Sequence, residues 1–591
     1  MTKSMHFSTV AEAFEKLEAT SSRLAMTDIL VELFKKTPKA ETGDVALLCV
    51  GQFVAAREQV VLGIGDKLAI KAIAMAGHRT EEEVKKRFKS TGDLGLTAEA
   101  FVGKERGHSL AAFGAGSGSG SRGLTVKELF EGLLKIAKAS GSRSQDIKLK
   151  SLAGMLVKAK PIEAKYVMRI ALGTLRLGAG DKTVLDALAV LYTEDKKKRK
   201  EIEAAYNAHP DLRLVAQKLA EGGLKAVGSV GMKVGIPIQM MAAQRVKHLE
   251  QVPEKMEKFA VEEKYDGERV QIHKDGDEVN IFSRRLDNIT KQYPDVVALV
   301  KKDVKAKQAI MEGEVVPVEG EHLLTFQTLM QRKRKYDIEQ YVKKIPIRVF
   351  LFDVLMVDGE SYMKKPYPER RKKLESIVKE TKDFTFAKRI ITSDLKKVQE
   401  FFEASLKHGG EGIMAKSLGE DSVYRAGARE WLWIKWKKDY LEGAVDTFDL
   451  VLVGAMMGSG KRAGVYGTLL GATYNSSTHE FETLCKVGTG FSDEVLEAMP
   501  KDFKSLIVKE KPKDVRVSSD MEKAVDVWFK PKKVMEISGA ELTTSPIHTA
   551  GRDALEGKGL SLRFPRFKQF RDDKSAKQAT TTKEVLQMYK S

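Results

Sequence analysis

The sequence predicts three domains: an all-α segment over residues 1–232, an α+β segment over 233–440 and a C-terminal β-barrel over 441–591. Three observations carry that reading. A chain of 591 residues exceeds what one core can fill, since single cores stop growing near ~250–300 residues. Apolar spacing changes from helical to alternating near residue 233. After Tyr440 the strands shorten and glycine-bearing turns separate them.

In the first segment Val10, Phe14 and Leu17 recur at helical spacing, and Leu24, Ile29, Leu33 and Phe34 continue the pattern. Helices are also expected around Leu129–Ile136, Ala164–Leu177 and Val184–Tyr192. The stretch from Phe113 to Ser121 is a glycine-serine linker by composition. The run Lys196–Lys200 fits phosphate contact or a solvated helix face equally well. In the second segment Val270 and Ile272 alternate with polar neighbours, Asp275-Gly276 supplies a hairpin turn, and Val279 and Ile281 resume the alternation. Ile347–Val357 reads as a buried strand, with helical pieces at Leu374–Val378 and Val398–Leu406. The third segment offers strands at Phe448–Gly454, Gly464–Tyr474, Phe481–Val487 and Lys533–Ala540, then a last helix at Thr582–Tyr589.

Net charge is +19 and the pI is near 9.4, which points to a polyanionic partner, nucleic acid before membrane. A small barrel in a basic protein fits an oligonucleotide-binding (OB) fold. No apolar run is long enough to span a bilayer and no signal peptide is evident at the N-terminus. Two cysteines, Cys49 and Cys485, can build neither a disulfide framework nor a four-cysteine zinc site. A reducing compartment, the cytoplasm, is expected.

The chemistry concentrates around Glu262-Glu263-Lys264-Tyr265-Asp266-Gly267-Glu268-Arg269. A lysine is nucleophilic only when neutral, which requires nearby cations or desolvation. Alone, a strand-end lysine before an Asp-Gly turn is weak evidence. It is followed, however, by Phe282-Ser283-Arg284, Met311-Glu312-Gly313-Glu314, Phe352-Asp353, Glu411-Gly412-Ile413-Met414-Ala415-Lys416 and Trp433-Ile434-Lys435-Trp436-Lys437-Lys438. In the last of these, Lys435 and Lys437 share one strand face.

Together and in this order the segments resemble the nucleotidyltransferase motifs of ATP-dependent DNA ligases, in a superfamily with RNA ligases and mRNA capping enzymes. Trp528 with Met535-Glu536-Ile537, Arg563-Phe564-Pro565-Arg566-Phe567 and Arg571-Asp572-Asp573-Lys574 look like the C-terminal motifs of these ligases. Leu172–Gly178 and Val184–Leu188, taken as helical, are similar to the DNA-binding domain of archaeal and eukaryotic replicative ligases. The resemblance implies a helical DNA-binding domain, an adenylation domain and an OB-fold domain. It implies sealing of nicks in double-stranded DNA, in replication, repair and recombination, through a lysyl-AMP and a DNA 5′-adenylate.

By that resemblance Lys264 attacks the α-phosphate of ATP. Glu262 hydrogen-bonds the adenine and Phe352 stacks on it. Arg269 and Arg284 serve the ribose and phosphates, as fork-shaped donors do. Lys435 and Lys437 hold the α-phosphate, Arg429 the nucleotide or the nick, and Lys416 joins the nucleotide-binding set. Glu314 and Glu411 are the Mg2+ ligands, with Mn2+ as a substitute. Either Glu312 or Glu314 can be aligned with the metal position, and Glu314 is preferred because the apolar run Val315-Val316 starts there. Arg571 and Lys574 reach the β- and γ-phosphates if the barrel closes, with Asp572 and Asp573 in hinge or salt-bridge roles.

Gly458-Ser459-Gly460-Lys461 mimics a phosphate loop, but Ala455 and Arg462 stand where a glycine and a Ser/Thr are required, so it reads as a hairpin turn. His273 reads as a surface residue rather than a ligand. Leu110 and Phe113 resemble a degenerate sliding-clamp-binding peptide, although Gly107 and Gly114 do not match. A monomer is expected. Three other readings are weaker. RNA ligases and capping enzymes usually lack so large a helical N-terminal region, NAD+-dependent ligases carry a four-cysteine zinc finger, and a dead-core DNA binder should have lost motif residues that stand here intact.

Overall fold

The computed structural model describes residues 4–55, 58, 60–102, 122–332, 338–437, 447–458, 464–539 and 541–590. The glycine-serine stretch with Leu110 and Phe113, Lys438, and Ser459 to Lys461 of the loop-like motif lie outside the described residues. Among the described residues no helix is long and apolar enough to cross a membrane. The chain forms two compact units, and the helical N-terminal residues divide between them.

The first unit comprises Met1–Met5, Thr20–Val61 and Ala179–Glu442. Its helices include Arg23–Lys36, Asp181–Thr193 and Arg199–Ala208, which meet on the buried Asp186. That carboxylate takes Arg23 at 2.8 Å and Arg199 at 3.2 Å. The rest of the unit is two sheets. Strands are β1 (Ala242–Arg245), β2 (Phe259–Lys264), β3 (Glu268–Asp275), β4 (Glu278–Ser283), β5 (Gln308–Glu319), β6 (His322–Leu323), β7 (Ile347–Val357), β8 (Glu360–Ser361), β9 (Phe384–Phe386), β10 (Arg389–Ile391), β11 (Gly412–Ser417) and β12 (Arg429–Lys437). One sheet runs β1-β12-β11-β2-β10. The other runs β4-β3-β5-β7-β8, with β6 on β5 and β9 on β7. The chain crosses from the first sheet to the second between Lys264, the last residue of β2, and Glu268, the first of β3.

Each sheet has its own core. Phe259, Val261, Ile413, Ile434 and Trp436 pack with Phe401 and Phe402 of the helix Leu395–Lys407. Val270, Ile272, Met311, Val349 and Leu351 pack with Val296 and Val300 of the helix Pro294–Asp303. Strand β7 has the bounds that its apolar run gives in the sequence, and Gly276 takes φ 57° in the expected turn between β3 and β4.

The second unit comprises His6–Ala19, Leu62–Gly178 and Gly443–Ser591. Its helices converge on Glu18, which takes Lys165 at 3.1 Å and also Arg169, whose other end holds Asp93 at 2.8 Å. One expectation fails here. The helix Pro161–Ala171 stops before Leu172, where Gly173 adopts φ 66°, so residues 172–178 are a loop. The barrel strands are β13 (Thr447–Met457), β14 (Tyr466–Asn475), β15 (Glu480–Val487), β16 (Ile507–Val508), β17 (Val515–Arg516), β18 (Val527–Phe529), β19 (Val534–Ser538), β20 (Glu541–Ser545), β21 (Gly559–Arg563) and β22 (Arg566–Phe570). One sheet runs β16-β18-β13-β14-β15-β17, with β19 joining β13 to β22, and β20 pairs with β21 in a separate two-stranded sheet. The helix Thr582–Lys590 ends the chain as expected.

Candidate active site

Both sheets of the first unit line one cleft of about 140 Å³. Glu262, Lys264, Lys416, Arg429 and Lys435 come from the first sheet, with Arg269, Glu314 and Phe352 from the second and Arg284 just after β4. Nine residues singled out in the sequence therefore meet in one place, although 173 positions separate the outermost two.

Strand register explains the arrangement at the nucleophile. Gly412 of β11 pairs with Lys264 on one side and with Lys437 on the other, so the three residues form one row. Glu411 precedes that row and donates its N–H to the Lys264 carbonyl at 2.7 Å. Its carboxylate lies 2.7 Å from Lys264 Nζ and also ion-pairs Lys437. Position 412 needs glycine, since its φ is 149° and a Cβ would lie 2.3 Å from the Trp436 carbonyl. Gly267 is constrained by space alone, with a Cβ position 2.4 Å from the Val315 carbonyl. The absent side chain lets the turn after Lys264 lie against β5 beside Glu314.

Charge in the cleft is uneven. Burial disfavours ionisation of Glu411, yet Lys264 and Lys437 outweigh it and hold the carboxyl down to about 2. Glu314 has cations nearby but no ion pair among the described residues. Burial pushes it up to about 7 against the pull of Lys264 and Arg269. Asp266 is raised to about 6, again by burial first, although it accepts the Phe326 N–H at 3.1 Å. Lys435 is lowered to about 8 by burial and by Lys437, Lys264, Arg284 and Arg429. Among the described residues Arg284, Arg429 and Lys435 make no ion pair, so three cations face the cleft without anions of their own.

The structure separates the two candidate glutamates of β5. Glu312 is fully buried and is held by Arg269 at 2.8 Å and by Gln271 at 3.3 Å. Glu314 is half-buried, lines the cleft, and takes no hydrogen bond or ion pair from the described residues. Arg269 is correspondingly committed: it also donates to the Met241 carbonyl at 2.7 Å and stacks 5.4 Å from both Phe352 and Trp433. Only its buried Nε lacks a partner.

At the other end of the cleft Glu262 is buried among donors. Tyr367 Oη and Arg371 reach its Oε1, and Lys416 Nζ lies 2.6 Å from its Oε2. Tyr367 and Arg371, on the helix Tyr367–Ile377, carry no signal in the sequence, where they look like an ordinary charged helix. Trp433, whose neighbours Lys435 and Lys437 carry the sequence signal, stands edge-on to Phe352 at 6.2 Å. Behind Phe352, Asp353 and Arg370 form a fully buried two-pronged pair at 2.7 and 2.9 Å.

His273 is not at the surface, where its alternating polar neighbours would place it. It is fully buried, with Nδ1 accepting the Gly235 N–H at 3.0 Å and Nε2 2.9 Å from Gln271 Oε1. Desolvation lowers its pKa to about 3, so it is neutral. Arg571 and Lys574 belong to the second unit and are ion-paired within it. Arg571 lies 2.7 Å from Asp573 and 3.4 Å from Asp449, and Lys574 also holds Asp449. Asp572 pairs with Lys533.

Residues 6–189, 240–437 and 462–574 match the families described as DNA ligase N terminus, ATP dependent DNA ligase domain and ATP dependent DNA ligase C terminal region. The chain is 48% identical to a protein named DNA ligase 2 from Thermofilum pendens, over 99% of this chain and 97% of that one. It is 46% identical to a DNA ligase from Staphylothermus marinus over 99% of both chains. A solved structure titled Pmar-Lig_PreS3 aligns with a TM-score of 0.54 at 17% identity, covering 95% of this chain and 99% of the other, which bears on the fold alone.

Proposed function

We propose how this chain, which belongs to the ATP-dependent DNA ligase family, uses the cleft around Lys264 to seal nicks in duplex DNA. Lys264 Nζ attacks the α-phosphorus of ATP, the bond to the β-phosphate breaks, and pyrophosphate leaves. The AMP then passes to the 5′-phosphate of the nick. Attack by the 3′-hydroxyl forms the phosphodiester and releases AMP. The observation that carries this reading is the shared cleft, which Lys264 lines together with the cations Arg284, Arg429 and Lys435. These unpaired cations suit a polyphosphate.

Lys264 is held at rest by Glu411, and that pair must part before Nζ can attack. Phe352 offers its face to the base and Glu262 its carboxylate edge. Arg269, tethered by Glu312 and the Met241 carbonyl, lines the cleft where the ribose would lie. Lys435 and Lys437 take the α-phosphate, and Arg429 takes the nucleotide or the nick.

Glu314 and Glu411 fit Mg2+ or Mn2+ as a pair. Among the described residues no group of three His, Cys, Asp or Glu could hold an ion alone. Mg2+ commonly takes one or two carboxylates together with substrate phosphates and water, which two glutamates satisfy. The ion supplies charge neutralisation on the phosphates.

Functional modules at 1–232, 233–440 and 441–591 are supported by the family matches to 6–189, 240–437 and 462–574. Arg571 and Lys574 of the barrel are assigned to the β- and γ-phosphates during adenylation. Two buried free cysteines and no disulfide among the described residues support a cytoplasmic setting. Leu110 and Phe113 remain the candidate sliding-clamp contact, tested by pull-down of the clamp with Leu110→Ala/Phe113→Ala.

Acceptor choice tests the whole reading. Enzyme charged with labelled ATP should pass the AMP to nicked DNA, and transfer to 5′-triphosphate RNA instead would overturn it.

A further inference from the structure

Lys416 shares the cleft with the phosphate-facing cations but is placed differently. Its side chain is 2% exposed. The ammonium lies 4.6 Å from the Phe352 ring centroid, 4.6 Å from Trp433 and 4.9 Å from Tyr367. It also reaches the Phe352 carbonyl at 3.4 Å. A cation caged by three rings and a carboxylate has no line to a triphosphate, and its work is local.

Donor and acceptor capacity defines that work. A carboxylate offers about four lone-pair sites. On Glu262, Tyr367 Oη and Arg371 Nη1 occupy Oε1, and Lys416 Nζ occupies one side of Oε2. One acceptor site on Oε2 remains. The carboxylate cannot rotate to offer more, because Arg371 is itself anchored to the Ala387 carbonyl at 3.1 Å and to Glu375 at 2.7 Å. A single fixed acceptor matches one N–H of a 6-amino purine. A 6-oxo purine would set oxygen against oxygen in a buried site, and Lys416 could not turn to serve it while Glu262 holds it by charge.

We infer that Tyr367, Lys416 and Arg371 are the specificity-determining residues behind Glu262, fixing it as a one-site acceptor that admits 6-amino purine nucleotides and rejects 6-oxo ones. This rests on the reading that Glu262 faces the base. Tyr367, Lys416 and Arg371 are positioning residues and touch no reacting atom.

The test uses the full chain and compares ATP with ITP, which differ at the 6-position, as substrates for self-nucleotidylation by intact mass. The wild type should prefer ATP by on the order of 100-fold or more, since a buried unpaired acceptor facing an anion is strongly disfavoured. Tyr367→Phe keeps the ring but frees Oε1, and should lower the ATP-over-ITP ratio of kcat/KM by ~10-fold or more, mainly through a higher KM for ATP. Lys416→Gln leaves a donor that no charge restrains, and should raise ITP use in absolute terms. A purely structural role would lower stability and both rates together and leave the ratio unmoved, which would overturn the inference. Glu262→Gln separates the two readings. If it leaves the ratio unchanged, Glu262 does not face the base and the underlying reading falls. If it moves the ratio while Tyr367→Phe and Lys416→Gln do not, the inference alone falls.

Discussion

Replacing Glu314 with Gln should stabilise the metal-free protein above neutral pH while abolishing adenylation. Burial raises the Glu314 carboxyl from 4.5 to about 7. At ~1.36 kcal/mol for each tenfold change in proton affinity, ionising it in the folded protein costs about 3 kcal/mol. The sign follows from linkage. The folded state binds this proton more tightly than the unfolded state, so the penalty is absent below about pH 4.5. It grows between about 4.5 and 7 and is constant above. Glutamine keeps the shape without the charge. Glu314→Gln should therefore match the wild type near pH 4.5 and exceed it by up to about 3 kcal/mol at pH 8 in EDTA. Denaturant unfolding followed by tryptophan fluorescence suits the measurement, because Trp431, Trp433 and Trp436, three of the four tryptophans, stand on β12 in the same unit. Saturating Mg2+ should narrow the gap by stabilising only the wild type. A variant less stable than the wild type at pH 8 would mean that the carboxylate is a structural anchor, and the metal-ligand assignment would lose its physical basis.

Other outcomes are equally definite. Lys264→Ala and Lys264→Arg should lose nick joining yet still bind nicked DNA in a gel shift, with affinity that falls steeply as salt rises. Arg571→Ala and Lys574→Ala should slow self-adenylation far more than single-turnover sealing of a pre-adenylated nick, and equal losses in both assays would reduce them to partners of Asp449. Asp353→Asn, which strands the buried Arg370 guanidinium, should destabilise the first unit by ~3–5 kcal/mol in the same fluorescence assay.

Much of the site was legible because its residues sit at turns and strand ends with strong local signatures. Lys264 could be placed from the Asp266-Gly267 turn, and β7 from an unbroken apolar run. The order of motifs then carried the family, and the strand register that joins Lys264, Gly412 and Lys437 accounts for their meeting. What stayed hidden depends on contacts remote in sequence. Tyr367 and Arg371 act on Glu262 from positions 105 and 109 residues away, and no helical periodicity announces that. His273 misled because polar residues alternate along β3 as they would on a solvated face. Here the segment Gly235–Ile238 covers that face, with Gly235 on His273 and Ile238 on Gln271. Residues 172–178 misled in the opposite way, since apolar spacing persists past the point where Gly173 turns the chain. The division of the helical residues between two compact units is likewise invisible in sequence, because it follows from returns of the chain rather than from any local pattern.

The central claim is that one lysine carries the nucleotide. Intact mass after incubation with ATP and Mg2+, followed by peptide mapping under conditions that preserve a phosphoramidate, tests it most directly. The account predicts a single AMP per chain, on the peptide containing Lys264, and none on Lys264→Ala. An AMP adduct of undiminished yield on Lys264→Ala, or one mapped to Lys435 or Lys437, would contradict it.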